Sequence, residues 1–114
     1  MPSTTTYKRG DIVLVPFPFT DLSSSKRRPA LVISPTAFND QDVVLVAITS
    51  QLTEQRHAII IEPPDCADGT LPRTSLVKMT KIFTMHSSLV VRKLCALREE
   101  KLGAVLSELR QFFS

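Results

Sequence analysis

Residues 11–48 read DIVLVPFPFTDLSSSKRRPALVISPTAFNDQDVVLVAI, and this stretch carries most of the signal for the fold. It holds three apolar runs rich in β-branched residues, which favour β-strands. Prolines, serines and an Asn–Asp pair separate the runs, as is typical of strand ends and turns. We therefore predict three strands joined by turns, with a polar loop over residues 20–27 between the first two. The three runs are Ile12–Val15, Ala30–Ile33 and Val43–Ile48.

Further along the chain, three shorter runs predict three more strands, and a turn is expected at Asp68–Gly69. Six short strands separated by turns suggest a small barrel or a sandwich. After Arg98 the apolar residues change to a helical period, and no good capping residue precedes them. We predict a mainly β fold with one C-terminal helix, in a single domain spanning residues 1–114. The three runs are Ala58–Ile61, Ser75–Val77 and Lys81–Met85, and the helical stripe is Leu102, Val105, Leu106, Leu109 and Phe112.

Composition excludes several classes of protein. The chain has 114 residues, of which 43% are hydrophobic and 22% charged, which is typical of one globular domain. Its apolar runs are much shorter than the roughly 20 residues of a membrane helix, and its first ten residues do not resemble a signal peptide. Cys66 and Cys95 form neither metal-ligand spacing nor a disulfide framework. We expect a cytoplasmic protein with no membrane association, in which both cysteines are reduced and buried.

Motifs for cofactor chemistry are missing from the sequence. It has three glycines, and it contains no P-loop, no GxGxxG and no GxSxG pattern. The two histidines, His57 and His86, have no metal-ligand spacing to each other or to the cysteines. We therefore predict that the protein uses no cofactor and no metal. The net charge of +3 is a mild excess, compatible with nucleic-acid binding and also with an inert domain.

The most suggestive side chains are a group of cations, Lys26, Arg27 and Arg28, at the start of the second predicted strand. Pro29 biases Arg28 toward an extended backbone, which would fix its guanidinium at a rigid strand entrance. Arginine binds phosphate oxygens with two parallel hydrogen bonds, which lysine cannot do. Thr49 follows the third run, where its hydroxyl could serve chemistry. The alternatives are a solvated loop for the cations and a strand-end backbone hydrogen bond for Thr49.

Three sequence blocks in this order resemble the MazF/PemK toxins of type II toxin–antitoxin systems, and the similarity extends from Lys8 to Phe112. The blocks are Arg9–Val13, Arg28–Ser34 and Ala47–Gln51.

The resemblance implies an SH3-like β-barrel with a C-terminal helix, a homodimer, and an acidic antitoxin as partner. It implies an endoribonuclease that cuts single-stranded RNA without a metal, by attack of the ribose 2′-OH on the adjacent phosphate. The products would be a 2′,3′-cyclic phosphate and a 5′-OH. The catalytic residues of the family match Arg28 and Thr49. The neighbouring residues expected to bind RNA are Ser25, Lys26, Arg27, Ser50 and Gln51.

One segment departs from the family pattern. Well-studied members carry a glycine-rich loop with a carboxylate before the Arg–Pro pair, whereas residues 23–27 here are Ser-Ser-Ser-Lys-Arg. An alternative interpretation is therefore an inactive barrel that binds RNA or a protein without cutting. A further alternative is a toxin directed at DNA gyrase.

A dimer is also expected from the apolar pattern itself. The runs Ile12–Val15 and Val43–Ile48 are apolar on both faces. We expect that one barrel interior and one helix cover only part of this surface, and that a two-fold dimer buries the remainder.

Overall fold

Seven antiparallel strands and one α-helix make up the protein in a computed structural model, which describes residues 6–16 and 26–114. Three single turns of 3₁₀ helix connect some of these elements. The strands are β1 (Asp11–Pro16), β2 (Arg27–Val32), β3 (Asp42–Thr49), β4 (Ala58–Ile61), β5 (Cys66–Ala67), β6 (Ser75–His86) and β7 (Arg92–Leu97), and the helix is α1 (Glu99–Phe112).

The strands form one bent sheet in the order β4-β6-β3-β2-β1-β7-β5. This confirms the mainly β fold with a terminal helix. The four predicted strands up to Ile61 are confirmed, and Pro16 ends β1 as its missing N–H requires. The predicted loop over residues 20–27 is wrong at its end, because Arg27 already pairs with Pro16 as the first residue of β2. Residues 20–25 lie outside the described residues.

The second half of the sheet differs from the prediction. Ser75–Val77 and Lys81–Met85 are not two strands but parts of β6, which runs unbroken over 12 residues. Strands β5 and β7 had no counterpart in the sequence analysis. They pair with each other, and β7 also pairs with β1, so tertiary contacts decide their conformation. The helix begins at Glu99, and its N-cap Arg98 makes no side-chain capping bond, as the sequence predicted.

Both faces of the central strands are buried within one chain. Alternate side chains of β1 enter different clusters: Ile12 packs with Val105 and Leu109 of α1, whereas Val13 and Val15 pack with Leu45 on the opposite face. Residues Ile12, Val13, Val43 and Leu45 all have 0% exposure. The expectation that these runs leave an apolar patch for a dimer partner is therefore wrong, because the bent sheet covers them itself.

The turn at Asp68–Gly69 is confirmed, and it needs its glycine. Gly69 has a φ of 138°, in a region that side chains disfavour. A Cβ at this position would lie 1.9 Å from the carbonyl oxygen of Leu94. The turn therefore allows the chain to approach the backbone of β7 closely. No helix in the described part of the chain has the length and apolar character needed to cross a bilayer.

Candidate active site

Arg28 and Thr49 lie on neighbouring antiparallel strands. Ala30 of β2 pairs with Ala47 of β3, and continuing this register by two residues sets Arg28 opposite Thr49. Both side chains are half-buried. Both residues also line the same two cavities, each of about 260 Å³. The two residues that the sequence analysis singled out for catalysis therefore meet at one end of the sheet.

The first cavity opens beside β6, and its described lining combines cations with one acidic residue. The second lies beside the segment that precedes β6 and is also cationic. The first is lined by Arg28, Ala47, Ile48, Thr49, Gln51, Thr53, Glu54, Lys78 and Lys81. The second is lined by Arg27, Arg28, Pro29, Ile48, Thr49, Ser50, Leu71, Pro72, Arg73 and Ser75.

A break in strand register brings Lys78 and Lys81 to the site. Val46 pairs with Ile82, but Ile48 pairs with Val77, so Ala47 alone faces the four residues 78–81. The surplus residues on β6 make a bulge, which bends a strand and redirects its side chains. Lys78 is buried at 8% exposure, whereas Lys81 is exposed. The bulge therefore supplies one buried and one solvated ammonium to the first cavity.

The Thr49 hydroxyl has a fixed position. Its Oγ1 accepts a hydrogen bond from the backbone N–H of Gln51 at 3.1 Å. This is the strand-end bond that the sequence analysis considered as an alternative to chemistry. The two roles are compatible, because a hydroxyl that accepts one bond still carries a proton to donate. The turn at Gln51 therefore orients a donor at the cavity.

The predicted RNA-binding residues divide between the cavities. Gln51 lines the first cavity, and Arg27 and Ser50 line the second. Lys26 is exposed just before β2 and is not among the lining residues of either cavity. Ser25 lies outside the described residues.

The loop of residues 50–57 is attached to β6 at two points. The Lys78 Nζ donates to the carbonyl oxygen of Glu54 at 2.8 Å, and the Met79 N–H donates to that of His57 at 2.9 Å. Within the loop, the Arg56 N–H donates to the Glu54 carboxylate at 3.0 Å. That bond is the main cause that lowers the pKa of Glu54; desolvation opposes it, and the charges of Arg56, Lys78 and His57 reinforce it. Glu54 is therefore an anion at neutral pH.

Four residues at the site were missed by the sequence analysis: Glu54, Arg73, Lys78 and Lys81. They lie on the loop after β3 and near β6, and no local motif connects them with Arg28. The sequence does contain a faint signal for one of them. Lys78 interrupts the otherwise apolar run Leu76–Met79, and a lysine inside a buried strand is rare unless it is paired.

Metal-ligating side chains are scattered in the described residues. Residues 6–16 and 26–114 contain no group of three or more histidine, cysteine, aspartate or glutamate side chains that could hold a metal ion. Cys66 and Cys95 are buried free thiols, as expected. The use of no metal and no cofactor stays a prediction.

Comparison with known families identifies the class of protein to which this bent sheet and C-terminal helix belong. Residues 8–113 match the family of PemK-like, MazF-like toxins of type II toxin–antitoxin systems, and the chain belongs to that family. This confirms the resemblance seen in the three sequence blocks.

Individual relatives agree with this assignment. The chain is 37% identical over 92 residues to the endoribonuclease toxin ChpB of Escherichia coli K12, covering 75% of this chain and 77% of ChpB. The fold matches a MazE–MazF complex from Deinococcus radiodurans with a TM-score of 0.75 and 21% identity, over 96% of this chain and 97% of that one. It also matches a mycobacterial endoribonuclease in complex with its cognate antitoxin, with a TM-score of 0.71 and 21% identity, over 95% and 93% of the two chains.

Proposed function

We propose that this endoribonuclease toxin cleaves single-stranded RNA by transesterification, with Arg28 and Thr49 as catalytic residues. The observation that carries the proposal is that both residues, from adjacent strands, line the same two cationic cavities. A phosphate in either cavity would meet a guanidinium and a hydroxyl together. A ribose 2′-OH beside it is the nucleophile, which makes RNA and not DNA the substrate.

Charge stabilisation is the main role of Arg28 in this reaction. The phosphorus passes through a five-coordinate state in which negative charge gathers on the nonbridging oxygens. A guanidinium held at the end of β2 is in place before that charge develops, so it needs no reorganisation. The Thr49 hydroxyl, fixed by Gln51, donates a second hydrogen bond to the same oxygens.

The remaining cationic side chains bind the RNA backbone regardless of its base sequence. Arg27 and Arg73 extend the second cavity, and Lys81 extends the first. Lys26, Ser25, Ser50 and Gln51 complete the proposed RNA-binding set. Such contacts position the strand, and their strength falls as salt rises.

The test uses a long RNA with little secondary structure, incubated with the purified protein in EDTA. We expect cleavage in EDTA because no metal takes part, and ends that carry a 2′,3′-cyclic phosphate and a 5′-OH because the 2′-OH is the nucleophile. Kinase labelling of the new 5′ ends and phosphatase treatment of the 3′ ends identify the products. Retention of intact RNA on the protein without cutting would support the binding-only alternative.

We further propose an acidic antitoxin as partner, a homodimer as the assembly, and the cytoplasm as the site of action. Structures of two neighbours contain a toxin with its antitoxin, which supports the first point. For the dimer, support comes from large apolar side chains that remain exposed on one chain, among them Phe113 at 69% exposure. Light scattering at micromolar concentration should give about twice 12.7 kDa. A mass of one chain would contradict the dimer.

A further inference from the structure

Glu54 is the acidic residue that lines the first cavity, together with Arg28, Thr49, Lys78 and Lys81. Among the described residues, no acidic side chain lines the second cavity. Transesterification needs a group that removes the proton from the 2′-OH, and neither Arg28 nor Thr49 suits that task. Arginine keeps its proton at any physiological pH, and a threonine hydroxyl is too weak a base.

Neither histidine occupies the site. His57 packs against Phe112 of α1 with ring centroids 5.2 Å apart, and it does not line either cavity. The Nδ1 of His86 is 2.8 Å from the Ser88 hydroxyl in an exposed turn at the other end of β6. Within the described part of the chain, Glu54 is therefore the ionisable residue in these cavities that can take up a proton at neutral pH.

Glu54 is held at both its backbone and its side chain. The Nζ of Lys78 donates to its carbonyl oxygen at 2.8 Å, and the Arg56 N–H donates to its carboxylate at 3.0 Å. Lys78 is itself buried in the β6 bulge, so its bond fixes the backbone of Glu54, while the Glu54 side chain is 61% exposed and its carboxylate lies 3.9 Å from the Arg56 guanidinium. A base held in position removes the cost of orienting it for each reaction.

We propose that Glu54 is the general base of the cleavage and that Lys78 is the residue that positions it. The proposal rests on the proposed function. In this step the 2′-oxygen forms a bond to phosphorus as its proton moves to the Glu54 carboxylate, and the bond from phosphorus to the 5′-oxygen breaks. The leaving 5′-oxygen takes a proton from water, and Glu54 later returns its proton to solvent.

The charged groups that face Glu54 determine the pH range in which its carboxylate is ionised. They are Arg56 and His57 of the same loop, Lys78 and Lys81 of β6, and Arg28 of β2. All of these favour the carboxylate when they are charged. The base form therefore dominates at neutral pH, and kcat/KM should fall only when the pH drops below the ordinary range of glutamate. A phosphate anion bound beside Glu54 would disfavour the carboxylate, so kcat should fall at a higher pH than kcat/KM.

Replacing the base is the first test. Glu54→Gln keeps an oxygen that can accept the Arg56 N–H bond but cannot take up a proton. We expect kcat on a single-stranded RNA to fall about 100- to 10,000-fold, and the acidic limb of its pH profile to disappear. Asp40→Asn, in an exposed turn, is the matched control and should keep the wild-type rate and profile. A Glu54→Gln enzyme with the wild-type kcat would overturn the proposal.

The positioning role is tested by comparing two lysines three residues apart. Lys78→Met removes the bond to Glu54 and should lower kcat by up to about 100-fold with little change in KM. Lys78→Arg should restore part of that loss. Lys81→Met should instead raise KM in a salt-dependent manner, because the exposed Lys81 acts through the RNA backbone. Circular dichroism confirms that each variant is folded.

A double mutant separates positioning from a general loss of stability. If Lys78 acts through Glu54, Lys78→Met in the Glu54→Gln background should add little further loss of kcat. Two fully additive losses would mean that Lys78 acts independently. The outcomes also distinguish this proposal from the proposed function: absence of RNA cleavage by the wild-type protein overturns both, whereas wild-type cleavage with an active Glu54→Gln variant overturns only the assignment of the base.

Discussion

The two ends of β3 are both rich in apolar residues, but one end packs in the core and the other lines the candidate site. From Asp42 to Val46, β3 pairs with β6 in unbroken register, and its buried side chains fill the core. From Ala47 to Thr49 the register is shifted, and the facing part of β6 turns lysines toward the strand end. Regular pairing leaves no room between strands, whereas the extra residues in the β6 bulge open a cavity beside Ala47. The site therefore arises where the sheet departs from its own pattern.

The largest effect on cleavage is expected at Arg28. Arg28→Ala should reduce the cleavage rate about 1000-fold, near the upper end of what removal of one transition-state donor costs, and Arg28→Lys should recover little, because an ammonium cannot form two parallel bonds. Single-turnover assays give the rate directly. Arg92→Ala, an exposed arginine on β7, is the control. Cleavage by Arg28→Ala at the wild-type rate would remove this end of the sheet from the chemistry.

The next largest effect on the cleavage rate is expected at Thr49. Thr49→Val keeps the shape and the strand preference but removes the hydroxyl, and we expect a loss of roughly 10- to 1000-fold in rate with nearly unchanged RNA affinity. Thr84→Val makes the same change at an exposed position opposite Val44, at the regular end of β3, and should have no effect on rate. Loss of binding with a preserved single-turnover rate would assign Thr49 to recognition.

At the regularly paired end of β3, from Asp42 to Val46, a substitution is expected to affect the stability of the fold. Leu45 is fully buried, and Leu45→Ala should lower the free energy of unfolding by about 2–5 kcal/mol. Denaturant titration measures this change. The folded fraction should cleave RNA at the wild-type rate. A specific loss of rate in the folded variant would show that the two ends are coupled and not separate.

A smaller effect is expected at the exposed start of β2, where Lys26 lies outside both cavities and Arg27 lines the second. Reversing charge at Lys26 and Arg27 to glutamate should weaken RNA binding several-fold and slow association with an acidic antitoxin, both more strongly at low salt. Surface plasmon resonance at several salt concentrations measures both ligands, with Arg92→Glu as the control. Weaker RNA binding with an unchanged antitoxin rate would mean that the partner docks elsewhere.

The last effect is confined to alkaline pH and concerns the buried thiol of Cys95. Burial raises the pKa of the Cys95 thiol from its ordinary value of 9.0 to about 12, and a hydrogen bond with Cys66 adds to the rise. The unfolded chain therefore loses this proton first as the pH rises. The resulting stability is fully present below pH 9 and is lost between pH 9 and about 12. Cys95→Ala should reduce this alkaline loss in denaturant titrations. An unchanged alkaline slope would mean that other groups cause it.

The sequence predicted the regular parts of the molecule well. β1, β2, β3 and β4 follow from β-branched runs ended by proline or polar residues, and α1 follows from its apolar stripe. β5 and β7 were not predicted because their partners lie far away in the chain. β6 was split because Lys78 and Thr80 interrupt its apolar pattern, at the position of the bulge.

The site was predicted only where local signals exist. Arg28 stood out from the proline that follows it and Thr49 from the end of an apolar run, and the family resemblance matched both to catalytic residues. Lys78 and Lys81 reach the site through the register shift of β6, and Glu54 reaches it through hydrogen bonds between its loop and β6. Both depend on contacts between distant segments, which no short motif reveals. Their positions beside Arg28 and Thr49 are therefore visible only in the three-dimensional structure.

The order in which the chain is synthesised has a consequence for when activity can begin. Strand β1 lies between β2, which is made soon after it, and β7, whose Ala96 pairs with Asp11. The bulge of β6 is made after Arg28, Thr49 and Glu54, and α1, which covers the Ile12 side of the sheet, comes last. Such distant pairings form slowly, since the intervening chain must first be closed into a loop. A growing chain can therefore complete the first cavity, with Lys78 and Lys81 beside Arg28 and Thr49, only after β6 has been made.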